Sequence, residues 1–269
     1  MANRLLKPTS AGRRGMTARD FSMVTDNTRI KSLTASKKEQ AGRNTQGHLT
    51  VRHRGGGAKR LFRTIDFKRN LEGQQQVKAI QYDPNRTARV ALLENKQGEN
   101  SFILATTTMK VGDTISHGPT AEIKDGNTLP LQNIPVGLTV HNIEGQPGQG
   151  GKYARAAGTY AILQGLDNGY ATVKLMSGTI MKISDRCLAT LGQTSNIHNA
   201  SVVIGKAGRN RNLGKRPTVR GKAMHPAAHP HGGGEGNNGI GLRKGPKTKW
   251  GAQALGVKTS KRNRKKKLK

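Results

Sequence analysis

Positive charge is concentrated at the two ends of this chain, and that limits what each stretch can fold into. Residues 1–60 hold 14 lysines and arginines against 3 acidic residues, residues 61–200 hold 14 against 11, and residues 201–269 hold 19 against 1. Of a formal net charge of +32, the middle carries +3. A nearly balanced middle can collapse around a core. The ends repel themselves until a polyanion answers their charge, so they are expected to take shape against one. A globular body with arms that follow nucleic acid has this layout.

Composition narrows the mode of binding. Phe, Trp and Tyr make up 3% of the chain. Proteins that read single strands rely on aromatic platforms, each stacked base contributing about 1–3 kcal/mol. Four Tyr, four Phe and one Trp cannot supply both a core and such a platform, so contacts to sugar, phosphate and folded shape are expected instead. The single cysteine, Cys187, rules out an internal disulfide and a multi-cysteine zinc site, and reads as a small buried residue. No run approaches 18 apolar residues, and the N-terminus lacks the apolar stretch of a secretory signal, which together lead to the expectation of a soluble, intracellular protein with no membrane partner.

From about Thr64 onward, short alternating segments are separated by turn residues. Val77–Tyr82, Ala88–Leu93 and Ser101–Ala105 form one group. Val136–Ile143, Thr159–Leu163, Tyr170–Leu175 and Thr179–Ile183 form a second, whose last two members meet through Ser177-Gly178. This spacing predicts an all-β core of two small barrels, with a joint at Pro130 to Pro135 and a short helix around Ser195–Ser201. No long amphipathic helix stands out, which argues against a helix-turn-helix reader.

Several motifs invite enzymatic readings. His225, His229, His231 and Glu235 could hold a metal, but they lack helical ligand spacing. His231-Gly232-Gly233-Gly234 is like an esterase oxyanion strip, yet no Gly-x-Ser-x-Gly elbow supplies a nucleophile. His229 could act as a general base only where a reaction centre exists, and this chain alone does not build one. A structural loop packed on RNA is the better reading. Gly150-Gly151-Lys152 is not a nucleotide-binding loop, because Gly-x-x-x-x-Gly-Lys-Ser/Thr is absent. It reads either as a flexible hairpin tip or as an RNA contact.

Taken in order, the segments are highly specific. They include Gly12-Arg13-Arg14, Gly42-Arg43-Asn44, Val51-Arg52-His53-Arg54-Gly55-Gly56-Gly57 and Ile65-Asp66-Phe67-Lys68-Arg69. Tyr82-Asp83-Pro84-Asn85-Arg86, Ala154-Arg155-Ala156-Ala157-Gly158, Val219-Arg220-Gly221-Lys222-Ala223-Met224 and His229-Pro230-His231-Gly232-Gly233-Gly234-Glu235-Gly236 follow. Nearly end to end, the chain closely resembles the universal second-protein family of the large ribosomal subunit, in its bacterial form. It departs from the family pattern at Ala58, where a His or similar polar residue is usual, and at Gln40-Ala41, where Ser-Gly is usual.

The resemblance implies an oligonucleotide-binding-type barrel over residues 61–130 and an SH3-like barrel over 131–200. Extended basic arms of 1–60 and 201–269 flank them. It implies large-subunit ribosomal RNA as the partner, near the peptidyl-transferase region, with neighbouring ribosomal proteins and contact with the small subunit. It implies support for subunit association, tRNA binding and peptide-bond formation, without catalysis by the protein. No cofactor or metal is expected beyond magnesium associated with the RNA. Arg13, Arg14, Arg43, Arg52, Arg54, Arg155, Arg209, Arg211 and Arg220 are the leading candidates for RNA backbone contacts. His53, Gly55, Gly56, Lys68, Arg69, Arg86, Lys152, His231 and Trp250 join them, with His229 as a weak candidate for supporting the peptidyl-transferase region.

Overall fold

The computed structural model describes residues 3–69, 73–235, 239–242 and 245–254. The polybasic run Lys261–Lys267 and Gly236 lie outside the described residues. The chain divides into two compact units, Met1–Glu39 with Gly57–Leu213, and Gln40–Gly56 with Gly214–Lys269.

The first unit is built on strands. Two short ribbons come from its N-terminal part: β1 (Arg4–Leu5) pairs with β2 (Thr17–Ala18), and β3 (Thr34–Ser36) with β4 (Leu61–Arg63). A curled four-stranded antiparallel sheet follows, made of β5 (Gln75–Gln81), β6 (Val90–Asn95), β7 (Asn100–Leu104) and β8 (Thr114–Ile115), in the order β7-β6-β5-β8. Strand β6 is buried on both faces, and the pleat divides its side chains. Ala91 and Leu93 enter one cluster with Val77, Ile80, Ile103 and Ile115. Val90 and Leu92 enter another with Ile65, Ala79 and Phe102, over which Ile30 and Leu33 of the N-terminal segment pack. The register of β5 shifts between Val77 and Ala79. This bulge lets Val77 and Ile80 share a face although they are three residues apart.

The second sheet contains β9 (Thr128–Pro130), β10 (Thr139–His141), β13 (Ala161–Asp167), β14 (Tyr170–Leu175), β15 (Ile180–Ser184) and β16 (Leu188–Leu191), ordered β15-β14-β13-β10-β16-β9. Between β10 and β13, β11 (Ile143–Glu144) and β12 (Gly151–Tyr153) form a ribbon of their own. The turn between β14 and β15 uses Gly178 at φ +82°, a conformation that glycine adopts without strain. Leu129, Leu131, Val140, Ile143, Leu163, Val173 and Leu191 fill the core, together with Cys187. Burial, then the nearby Glu144 and Asp185 charges, push the Cys187 thiol up to about 11. The two sheets are joined through a bridge between Thr106 and Thr194, and Ser195 N–H donates to Ala105 O at 3.0 Å. The core is therefore all-β, as expected from an oligonucleotide-binding-type barrel followed by an SH3-like one. The expected short helix appears as a 3-10 turn, Ile197–Ser201, followed by α1 (Ala207–Asn212).

The second unit has a different construction. Among its described residues no apolar side chain is buried. Its fold rests on backbone hydrogen bonds. Gly42 O accepts from Thr50 N–H and Val51 N–H, each at 3.0 Å. Asn44 Oδ1 accepts from Gln46 N–H at 3.1 Å and His48 N–H at 2.9 Å. The strand-like segment around Arg54 pairs with that around Lys215, with Gly55 N–H donating to Gly214 O at 2.9 Å and Arg216 N–H to His53 O at 3.0 Å.

Candidate nucleic-acid interface

In the first unit, one exposed face gathers cations that are distant in sequence. Asp66 begins the arrangement: its Oδ1 accepts from Lys68 N–H at 3.0 Å and Arg69 N–H at 2.7 Å, turning the chain sharply after β4. Phe67 becomes a hub. The Arg155 guanidinium lies over its ring at 4.5 Å and that of Arg86 at 5.8 Å. Phe67 O accepts from Gly151 N–H at 3.0 Å, which draws in the Gly-rich loop.

That loop is tied down rather than free. The Glu144 side chain is buried and accepts from Gly150 N–H at 2.8 Å, Leu188 N–H at 3.0 Å and Gly148 N–H at 3.3 Å. A side chain at position 151 would collide with Asn142. One at 150 would press on Lys68 Cγ at 3.1 Å. Lys68, Lys152 and Arg155 are all exposed around this loop, so the structure brings three candidate contacts onto one face.

Not every candidate is offered to a partner. Arg69 is buried at 8% exposure; its Nε donates to Thr128 Oγ1 at 3.2 Å while Nη1 has no hydrogen-bond partner among the described residues. Burial lowers its pKa to about 10, against a smaller raising effect from Asp66. Its position suits holding the two sheets together rather than touching RNA. Arg86 is committed to the buried Asp83, Nε to Oδ2, at 2.7 Å. Arg209 donates Nη1 to Thr17 O at 3.2 Å and Ile204 O at 3.1 Å, fastening the segment after β16 to the N-terminal one. Arg211 is half-buried in α1. Arg13 is half-buried and Arg14 exposed, beside a 3-10 turn.

The second unit presents Arg43, Arg52, Arg54 and Arg220 at its surface. Gly56 is exposed, whereas Gly55 is buried. His53 sits at φ +61°. Trp250 is 78% exposed, with the Arg52 guanidinium 5.6 Å from its ring. The histidine loop is a compact turn. Gly232 N–H donates to His229 O at 2.8 Å and Gly233 N–H to Met224 O at 3.1 Å. His229 Nδ1 accepts from His231 N–H at 3.1 Å, and His231 Nε2 from Lys247 N–H at 2.7 Å. Desolvation, then the charges of His231, Arg52 and Lys249, lower the His229 pKa. With Nδ1 engaged as an acceptor, Nε2 is the nitrogen left to carry a proton and to donate. Among the described residues, no group of three His, Cys, Asp or Glu side chains is placed to hold a metal.

Some functional side chains carried no signal in the sequence. Arg63 and Arg89 are buried cations. Arg63 donates Nε and Nη2 to Gln81 Oε1 at 3.4 and 3.3 Å. Arg89 donates Nη2 to Asp20 O and lies 4.7 Å from the Phe21 ring and 5.5 Å from that of Tyr82. It pins the N-terminal segment to the first sheet. Lys215 and Arg216 join the surface of the second unit through their pairing with Arg54 and His53.

An all-β body with a cation-bearing exposed face, and a glycine-locked unit with no apolar core among its described residues, together define an RNA-binding structural protein. The comparison with known families agrees. Residues 30–117 match the RNA binding N-terminal domain of Ribosomal Proteins L2, and residues 124–251 match its C-terminal domain. The chain belongs to the Ribosomal Proteins L2 family, RNA-binding ribosomal proteins of the large subunit that serve in translation.

Proposed function

We propose that this protein is a structural constituent that holds large-subunit ribosomal RNA in shape near the peptidyl-transferase region. There it supports subunit association, tRNA binding and peptide-bond formation, in the ribosomes of the cytoplasm. It touches neighbouring ribosomal proteins and the small subunit, and magnesium bound with the RNA shares the work of neutralising phosphate. The protein is not the catalyst. The observation that carries this reading is the second unit, which has dense positive charge, backbone geometry fixed by glycine, and no buried apolar side chain among its described residues. Such a unit gains little from burial and much from releasing counterions on a polyanion. His229, whose Nδ1 already accepts from His231 N–H, fits a role as donor to RNA rather than as base.

Two experiments test it. In filter binding, a folded large-subunit RNA fragment should stay bound when duplex DNA of equal phosphate concentration is added; displacement by that DNA would mark a general polyanion binder. In particles assembled with His229→Ala, peptide-bond formation should fall moderately. Complete loss with normal assembly would restore a direct catalytic role.

A further inference from the structure

The second unit holds an open cavity of about 360 Å³ at its surface. Arg43, Arg54 and Arg216 line it together with His53. The rest of the lining is Leu49 and Ala41, with the backbone of Gly55 and Gly56. The four polar side chains have no hydrogen bond or ion pair among the described residues. The whole unit contains one acidic residue, Glu235. Phosphate is the ligand such a lining selects, since guanidinium forks match its oxygens.

The walls are closely packed. A side chain at Gly42 would collide with Val51 O, and one at Gly55 would meet Ala41 Cβ at 2.9 Å. Leu49 is bridged to Arg43 across the hairpin, and Arg216 is fixed beside His53 by its backbone hydrogen bond. A phosphate alone would leave most of this volume empty, and a regular duplex presents no group that enters a socket. An unstacked nucleotide does both: it carries a phosphate for the arginines and a flat base to set against Leu49. His53, held at φ +61°, adds a ring that can stack on the base or bond its edge.

We propose that this cavity receives one unstacked nucleotide of the bound RNA, its phosphate on Arg43, Arg54 and Arg216 and its base against Leu49 and the glycine backbone. The proposal rests on the RNA-binding role above and names what part of the RNA this unit takes.

The test uses the full chain and two labelled RNA hairpins at fixed salt, one fully paired and one identical but for a single bulged nucleotide. The bulged hairpin should bind about tenfold more tightly, the size of one favourable base contact. Leu49→Trp, which takes up cavity space with a larger side chain, should bind the two hairpins alike. Arg216→Gln should weaken the bulged hairpin more than the paired one, and serves should Leu49→Trp not fold. Millimolar adenosine monophosphate should compete with the bulged hairpin only. Equal binding of both hairpins by the unmodified protein, or a preference that survives Leu49→Trp, overturns the pocket and leaves the RNA-binding role standing. Failure to bind either hairpin overturns that role as well. Micromolar binding of adenosine monophosphate by itself would assign the cavity to a free nucleotide instead.

Discussion

Gly55 donates its backbone N–H to the carbonyl of Gly214 at 2.9 Å, and these two glycines are the buried residues among the described part of the second unit. Two segments far apart in the chain are joined where neither has a side chain. Gly55 holds φ +115°, and a Cβ there would meet Ala41 Cβ at 2.9 Å. Gly55→Ala therefore adds both backbone strain and a clash, a cost of about 1–3 kcal/mol. Hydrogen exchange should show lost protection at Val51, Gly55 and Arg216, accompanied by weaker RNA binding. Unchanged protection would contradict this view of the unit.

Arg69 and Lys68 are neighbours with opposite duties. Lys68→Ala should lower RNA affinity and leave the melting temperature nearly unchanged. Arg69→Ala removes a buried side chain packed between elements and should destabilise the fold by about 2–4 kcal/mol. Arg69→Met, which fills the space without a charge to desolvate, should recover most of that loss. Denaturant titration of the three variants checks the order. A larger effect of Lys68→Ala on stability than of Arg69→Ala would reverse the assignment.

His141 is buried in the second sheet, with Nδ1 2.9 Å from Gly192 O. Burial, aided by the Arg69 charge and opposed by the Gly192 hydrogen bond and by Asp125, lowers its pKa to about 4. A depressed histidine pKa means that the unfolded chain binds the proton first as pH falls. Stability should therefore decline from about pH 6.5 toward pH 4, by about 3 kcal/mol from this residue. Thermal melts of the protein and of His141→Gln over that range should show a shallower slope in the variant. Parallel curves would rule the mechanism out.

Glu144 organises the Gly-rich loop by accepting three backbone N–H groups. Glu144→Gln puts an amide donor against at least one of them and should cost about 1–3 kcal/mol. The loop also positions Lys152, so RNA affinity should fall with it. Calorimetric melting paired with RNA titration reads both effects.

The alternation of β14 and β15 and the turn at Gly178 were legible because each residue there obeys the local pleat. The bulge in β5 was not. A strict period of two separates Val77 from Ile80, and only the pairing partner reveals the inserted residue. Charge was legible as a total and not as a placement. Arg69 and Arg89 read like any exposed arginine, yet their guanidinium groups are held by Thr128 and by Asp20 with Phe21, partners 59 and 69 residues away. The Phe67 hub was not legible for the same reason, since Arg86 and Arg155 reach it only through the fold. The family's usual Ser-Gly is informative in retrospect: Ala41 sits at φ +48°, where glycine is the easier residue.

The most direct measurement is the salt dependence of affinity for a folded large-subunit RNA fragment, taken from 50 to 200 mM monovalent salt. A protein whose basic surfaces replace counterions on some 6–10 phosphates should lose about 10³–10⁵ in affinity over that range, linearly on a log–log plot. Affinity that stays level across the same range would contradict the account.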